Sequence, residues 1–375
     1  MAWKECSKVD ERGEFVELAR GEGANVTQLC ERFGISRKTG YKWLKRFGSQ
    51  ESLEDRCRRP LHSPRRTAAE MEQTILSERT RHPAWGGRKL AVRLRELGYQ
   101  QVPAPSTITE ILRRHGHLDE AEALKHRPYH RFERAQPNEL WQMDFKGHYG
   151  LGDGTRCHAL TVLDDHSRYA LGIRACSNQQ RETVQTELIR IFRRYGLPLA
   201  MLMDNGSPWG TGDWHNSYTR LVVWLLRLGI KVSHGRPFHP QTQGKDERFH
   251  RTLSEELLQR EAFENLLKMQ LGFDQFRFSY NHERPHEALA MIVPAKCYAV
   301  SVRTYPEQLP PIEYPEHMVV RRVYQGKLWY QSRYYRINKA FSGYSVGLSP
   351  AHQDGVLDVF FCNHRIDQIN IAQNI

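Results

Sequence analysis

Three acidic residues stand where carboxylates are hard to explain as ordinary surface charge. Asp144 interrupts an alternating run, Leu140-Trp141-Gln142-Met143-Asp144-Phe145, in which Trp141, Met143 and Phe145 share one face of a strand and Asp144 takes the other. A carboxylate in so apolar a strand is costly unless it binds something. Asp204 closes the apolar run 199–203 and is followed by Asn205, Gly206, Ser207 and Pro208, a turn sequence. An acid at the carboxyl end of a strand faces a crevice in open α/β sheets. Glu247 lies in a helical segment whose buried stripe is Phe249, Leu253 and Leu257. Three carboxylates on separate elements offer hard oxygen ligands, which favour Mg²⁺ over softer metals. A pair of such ions about 3.5–4 Å apart clamps the attacking and leaving oxygens of an in-line phosphoryl displacement. That chemistry cuts one strand of a nucleic acid, leaves a 3′-OH, and activates the same 3′-OH against a second phosphodiester. Singly, each acid is more often a cap, a turn residue or half of an ion pair; the triple in this context is what carries the reading.

The rest of the chain must place those acids and bring a polyanion to them. Its 375 residues suggest two to four domains. With 39% hydrophobic residues, 8 Trp, 16 Tyr and 15 Phe it has the material for packed cores, unlike a disordered chain. No apolar run reaches membrane-spanning length, and residues 1–10 lack a signal-peptide core. Seven cysteines, widely spaced and without a CxxC, argue against a disulfide framework and a cysteine-based zinc site. A reducing cytoplasm is expected, with no membrane partner. The net charge is +12, and residues 1–135 hold most of the surplus, 27 Lys and Arg against 19 Asp and Glu. A basic front end suits a polyanion.

Residues 1–55 read as a helix-turn-helix DNA-binding domain. Phe15, Val16, Leu18 and Ala19 form one apolar face, and Val26, Leu29 and Phe33 follow. Gly34 breaks the pattern and Ser36 is placed to cap a helix over 37–47. Arg37, Lys38, Lys42, Lys45 and Arg46 are its expected DNA contacts, with Tyr41 and Leu44 packing inward. Residues 56–66 are a basic linker arm in which Arg56, Arg58, Arg59, Arg65 and Arg66 accompany two prolines, suited to a minor groove. Residues 67–125 form a second helical unit, helix-turn-helix or winged, with helices over 69–81, 87–97 and 106–114, the last capped by Ser106. Arg88 and Lys89 are its expected DNA contacts. After a linker over 126–136, residues 137–300 run β-β-β-α-β-α-β-α, an order we take by analogy as that of the ribonuclease-H-like core. Residues 301–375 turn β-rich, and a small barrel is expected. The fold class is therefore multidomain: N-terminal all-α modules, a central α/β core and a C-terminal β-barrel-like domain.

The segments around these acids resemble a known family. Trp141-Gln142-Met143-Asp144-Phe145, Asp164-Asp165-His166-Ser167-Arg168-Tyr169, Met203 to Pro208, His239 to Lys245 with Glu247-Arg248-Phe249-His250-Arg251, and Tyr280 to His286 are similar to bacterial insertion-sequence transposases with a retroviral-integrase-like core. The resemblance covers residues 11 to about 300. It implies that the acidic triad is Asp144, Asp204 and Glu247, with Mg²⁺ or Mn²⁺. It also implies double-stranded DNA as partner, both terminal inverted repeats and target, and a homo-oligomer, at least a dimer, that pairs two DNA ends. The 42 residues between Asp204 and Glu247 exceed the roughly 35 typical of the superfamily, and an insertion near 209–214 accounts for the excess. Asp246 neighbours Glu247, but adjacent helical side chains diverge by about 100° and do not share a metal. Lys245, Arg248 and Arg251 are placed for phosphate contact. Asp164 and Asp165 read as a turn, residues 281–286 as a structural clamp, and His126 and His130 as a weak zinc pattern. The rival readings are a DNA-binding regulator without catalysis, opposed by the complete triad, and a ribonuclease-H-like nuclease acting on hybrids or junctions, opposed by the two N-terminal readers.

Overall fold

The structure, a computed structural model, describes residues 8–56, 67–118, 133–210, 218–234 and 244–371, and the chain divides into two compact units, Met1–Arg66 and Thr67–Ile375. In the first, α1 (Lys8–Ala19), α2 (Val26–Arg32) and α3 (Arg37–Gly48) pack around Phe15, Val16, Cys30 and Trp43. Ser36 caps α3, its hydroxyl accepting from the Thr39 N–H at 3.2 Å. Gly34 in the turn has φ +62°, a conformation that glycine adopts without strain. The inward face of α3 differs from the sequence expectation. Gly40 and Trp43 are buried while Tyr41 is 59% exposed. A Cβ on Gly40 would lie 2.6 Å from the Cys30 Sγ, so close helix approach at residue 40 sets the phase of α3 and turns Tyr41 outward. Leu18, expected in the apolar face of α1, is 40% exposed, while Phe15 and Val16 are buried.

The second unit opens with α4 (Ala69–Arg81), α5 (Gly87–Glu96) and α6 (Pro105–Arg114) around Ile75, Trp85, Leu90, Leu94, Ile108 and Leu112. Ser106 is not the cap of α6: Pro105 occupies the first turn, where its fixed φ and missing N–H cost nothing. Among the described residues 67–118 there is no strand, so this module is helical rather than winged. Arg93 of α5 reaches Glu283 at 2.9 Å and Lys296 reaches Glu96 at 3.0 Å, tying the module to the core.

The central sheet contains β1 (Trp141–Gly150), β2 (Arg156–Asp164), β3 (Ala170–Cys176), β4 (Ala200–Met203) and β5 (Lys231–His234), in the order β3-β2-β1-β4-β5. β1 to β3 form an antiparallel meander, and β4 and β5 join parallel to β1. Helices cover both faces, as a mixed sheet with crossover helices requires. α7 (Arg181–Tyr195) and α8 (Arg220–Arg227) bury Trp141, Met143, Leu160 and Val162 on one side. α9 (Gly244–Leu253) and α10 (Leu266–His282) bury Ala159, Leu163 and Ile173 on the other. The clamp expected over 281–286 is present. Asn281 accepts from the Ala170 N–H at 2.8 Å and donates to the Ala170 carbonyl at 3.0 Å, fastening α10 to β3.

After α11 (Pro294–Cys297), residues 319–370 form β6 (Val319–Tyr324), β7 (Lys327–Tyr330), β8 (Arg333–Arg336), β9 (Ser345–Pro350), β10 (Val356–Phe361) and β11 (His364–Asn370). The sheet is antiparallel, ordered β11-β10-β9-β6-β7-β8, and open: its end strands do not pair, so the barrel expected from the sequence does not close. The inner face is filled instead by Val222, Val223 and Leu226 of α8. β11 escaped the sequence reading because its side chains are mostly polar or half-exposed. Asn281→Ala would leave the buried Ala170 N–H and C=O without partners, at a cost of about 2–4 kcal/mol. Denaturant unfolding of the full chain should show that loss, with unchanged secondary structure by circular dichroism.

Candidate active site

The register of β1 and β4 brings the first two acids together. Trp141 lies beside Met201 and Gln142 beside Leu202, so continuing two residues carries Asp204, just past the end of β4, to the level of Asp144. Asp144 is half-buried, with its Oδ1 accepting from the Phe145 N–H at 2.7 Å. Burial first, then the negative charges of Asp204 and Glu247, push its carboxyl up to about 6, against the opposing Phe145 N–H and Lys146. Asp204 Oδ1 accepts from the Gly206 N–H at 3.1 Å and from the Trp209 indole N–H. Trp209 is buried and stacks on Phe145 with centroids 5.2 Å apart, so the turn after β4 is held by the far face of β1. From β5, the His234 ring Nδ1 lies 2.8 Å from the Asp204 carbonyl oxygen.

Helix α9 separates the two adjacent acids. Phe249 and Leu253 face the sheet, Glu247 is exposed, and Asp246 is fully buried. Among the described residues neither carboxylate oxygen of Asp246 has a hydrogen-bond partner. Burial, followed by the charges of Asp144 and Asp165, raises its carboxyl well above the usual range. What fixes the start of this helix is an ion pair that the sequence did not signal. Lys245 Nζ lies 2.5 Å from Asp165 Oδ1, and that carboxylate also accepts from the Gln142 amide at 2.7 Å and the Arg134 N–H at 2.9 Å. Its neighbour Asp164 accepts from Ser167 and from the Asn138 N–H. The pair is therefore a hairpin turn, as expected, and also the anchor of α9.

His250 is a further residue missed from the sequence. It is buried, and its Nε2 lies 2.7 Å from the Thr161 hydroxyl, which itself donates to the Asp144 carbonyl at 3.0 Å. The hydroxyl has one hydrogen, so His250 must donate from Nε2, leaving the Nδ1 lone pair 3.9 Å from Asp144 Oδ2. Burial and Lys146 depress the ring to about 4, keeping it neutral. Its spacing three residues after Glu247 was the available signal, since that spacing keeps two helical side chains on neighbouring rows.

The donor set is three carboxylates with an excess of negative charge, which fits a divalent cation. Among the described residues no three acidic, His or Cys side chains stand close enough to hold one ion jointly.

The expected DNA contacts divide. On α3, Arg37, Lys38, Lys42 and Lys45 are exposed beside Tyr41. Arg46 is not free on that surface: it donates to the Glu54 carbonyl at 3.1 Å and packs on Trp43. Arg56 is exposed and paired with Glu51. Arg58, Arg59, Arg65 and Arg66 lie outside the described residues, as do His126 and His130. Arg88 is exposed, but Lys89 is turned toward Arg284 and Glu256, and burial with the Arg284 charge lowers it to about 8. Lys245 is committed to Asp165. Arg248, 3.4 Å from Glu287, and Arg251 remain exposed beside Glu247.

Comparison with known proteins gives matches along most of the chain. Residues 134–240 and 228–294 match two models described as integrase core domain. Residues 11–60 match a helix-turn-helix domain and 39–112 a homeodomain-like domain. Residues 318–374 match the C-terminal domain of IS481 family transposases. The chain is 28% identical over 160 residues to the insertion element IS407 uncharacterized 31.7 kDa protein of Burkholderia multivorans, covering 43% of this chain and 55% of that one. It is 27% identical over 170 residues to the insertion element IS476 uncharacterized 39.2 kDa protein of Xanthomonas euvesicatoria, covering 45% and 46%. The alignments thus span about half the length of those relatives. Among solved structures, the HTLV-2 integrase catalytic core domain in complex with magnesium aligns with 44% of this chain and 99% of its own at 15% identity, TM-score 0.34.

Asp246 gives a test of this electrostatic arrangement. Its carboxyl is raised in the folded state, so the folded chain holds the proton more tightly than the unfolded chain, and stability falls as pH rises above about 4. Asp246→Asn removes that penalty. With EDTA present, its thermal midpoint should match the parent near pH 4 and exceed it near pH 8; equal midpoints at both would contradict the assignment.

Proposed function

We propose that this chain, whose domains are those of an insertion-sequence transposase with an RNase H-like core, is a polynucleotidyl transferase. In this reading it binds the terminal inverted repeats of its element, hydrolyses a phosphodiester to free a 3′-OH, and joins that end to target DNA. The observation that carries the reading is the β1–β4 register that sets Asp204 level with Asp144, whose carboxyl also feels the charge of Glu247 on α9. These three would hold the metal, two Mg²⁺ ions with Mn²⁺ as substitute, which polarise the phosphoryl group and activate the attacking oxygen. The chain's own residues orient the donors. Trp209 and the Gly206 N–H aim the Asp204 carboxylate, and Thr161 with His250 fixes β1 at Asp144. Lys245 on Asp165 holds the helix that carries Glu247. The exposed face of α3 supplies the duplex reader, with Arg37, Lys38, Lys42 and Lys45 reaching phosphates and base edges. The five described cysteines are unpaired, which supports a reducing, cytoplasmic setting; association with the nucleoid would follow from DNA binding. No described helix is long and apolar enough to cross a membrane.

Incubation of the full chain with labelled element ends and Mg²⁺ should yield a free 3′-OH and strand-transfer products. Asp144→Asn, Asp204→Asn and Glu247→Gln should each lower cutting and joining by at least about 10²–10³-fold, the scale of losing one charge-stabilising group, with end binding nearly unchanged. Asp246→Asn should cut within a few-fold of the parent. An inactive Asp246→Asn beside an active Glu247→Gln would refute the assignment of Glu247.

Assembly follows from the same site. One acidic triad acts on one strand at a time, and two ends must be moved together, so at least two protomers are required, most simply a symmetric homo-oligomer. Mixing Glu247→Gln with a variant lacking residues 11–47 should restore cleavage if one protomer's reader serves the other's active site. Failure of the mixture, with single-end complexes only by light scattering, would count against paired-end assembly.

A further inference from the structure

The outer face of the C-terminal sheet has a composition that its own folding does not require. On β6, β7 and β8 the residues alternate between the two faces. Val323, Leu328, Tyr330 and Tyr335 point into the core shared with α8. The residues between them point away from it: Arg322 and Tyr324 on β6, Lys327 and Trp329 on β7, Tyr334 and Arg336 on β8. All six are exposed, with Tyr324 at 74%, Trp329 at 48% and Tyr334 at 68%. The strand register makes them a contiguous grid. Tyr324 is opposite Lys327, Lys327 opposite Arg336, and Trp329 opposite Tyr334, whose rings lie 4.3 Å apart. Lys327 Nζ sits 5.7 Å from the Tyr334 ring centroid. Residues 319–341 contain no Asp or Glu, and none of the three cations has a carboxylate partner among the described residues.

Three aromatic rings left in water on the convex side of a curled sheet are surplus to its core, and three cations without counter-charge interleave them. A folded protein partner would have to match both an apolar grid and three positive charges with an acidic surface of its own. A single nucleic-acid strand matches both at once: its phosphates meet the cations, and its unpaired bases present π-faces to the rings. Duplex DNA meets only the cations, since its bases are stacked on one another. We infer that the β6–β8 face, formed by Arg322, Tyr324, Lys327, Trp329, Tyr334 and Arg336, is a binding platform for single-stranded DNA. The platform takes an unpaired strand without sequence preference, by stacking and charge. It is built from residues other than those of the acidic site and of α3, and it does not depend on the chain being a transposase.

The test uses the full chain in EDTA, so that no cutting intervenes. Labelled (dT)20 is followed by fluorescence anisotropy in the presence of excess unlabelled non-specific duplex to occupy the N-terminal modules. The parent should bind the strand. Trp329→Ala with Tyr334→Ala should weaken that binding about tenfold or more and change duplex affinity less than twofold. Trp329→Phe with Tyr334→Phe should keep it within about threefold, because the stacking surface remains. Arg322→Ala with Lys327→Ala and Arg336→Ala should flatten the salt dependence of strand binding. The inference is overturned by no binding of (dT)20 by the parent, or by an equal loss of strand and duplex binding in the aromatic double variant. Loss of self-association by light scattering with strand binding intact would also overturn it, marking the face as an interface between copies of this chain.

Discussion

The buried carboxylate of Asp165 is the point on which the placement of the candidate active site depends. It receives the ammonium of Lys245 at the head of α9, the amide of Gln142 on β1, and the backbone N–H of Arg134 where the chain approaches the sheet. A fully buried acid is tolerable only when its lone pairs are met by charge and hydrogen bonds together. The same requirement that satisfies Asp165 therefore fixes three segments relative to one another. Glu247 lies two residues beyond Lys245, and Asp144 two residues beyond Gln142, so both acids inherit their position from a neighbour's ion pair or hydrogen bond.

Around that anchor the protein accumulates negative charge that it does not neutralise. Asp144 is raised to about 6, and the fully buried Asp246 has neither oxygen partnered among the described residues. Such groups lower stability, and the surrounding elements hold them apart from relaxation: the antiparallel β1–β2 ladder, the Thr161–His250 pair and the Trp209–Phe145 stack. Rigid elements under electrostatic strain are what a site needs if its acids are to stay aimed at one place before any cation or phosphate arrives.

Helix α8 accounts for the relation of the catalytic core to the C-terminal sheet. Its residues Leu221 to Leu226 are all buried, which a surface helix never shows. Leu221, Trp224 and Leu225 face the central sheet, while Val222, Val223 and Leu226 fill the inside of the C-terminal one. The C-terminal strands stay an open sheet because a helix occupies the volume that barrel closure would have claimed.

The order of elements was legible in the sequence because periodicity reports local burial. Alternation around Asp144, the apolar run before Asp204 and the Phe249–Leu253–Leu257 stripe each depend only on which face of one segment leaves water. The helix cap at Ser36, the turn at Asp164 and the clamp at Asn281 were equally readable, since each uses a side chain suited to its local geometry. What the sequence could not determine was the use of long polar side chains, because a Lys or Arg reaches far enough to choose among partners that only the fold brings near. Lys245, Lys89 and Arg46 look like surface cations in the sequence and are taken up inside by Asp165, by the Glu256–Arg284 neighbourhood and by Glu54 with Trp43. The partner of His250 was hidden for the same reason: Thr161 lies 89 residues away. The sequence by itself determined which segments become strands and helices and which acids stand out. Tertiary structure alone decided which charges stay free to meet a ligand, because ion pairing depends on distances of a few ångströms between residues far apart in the chain.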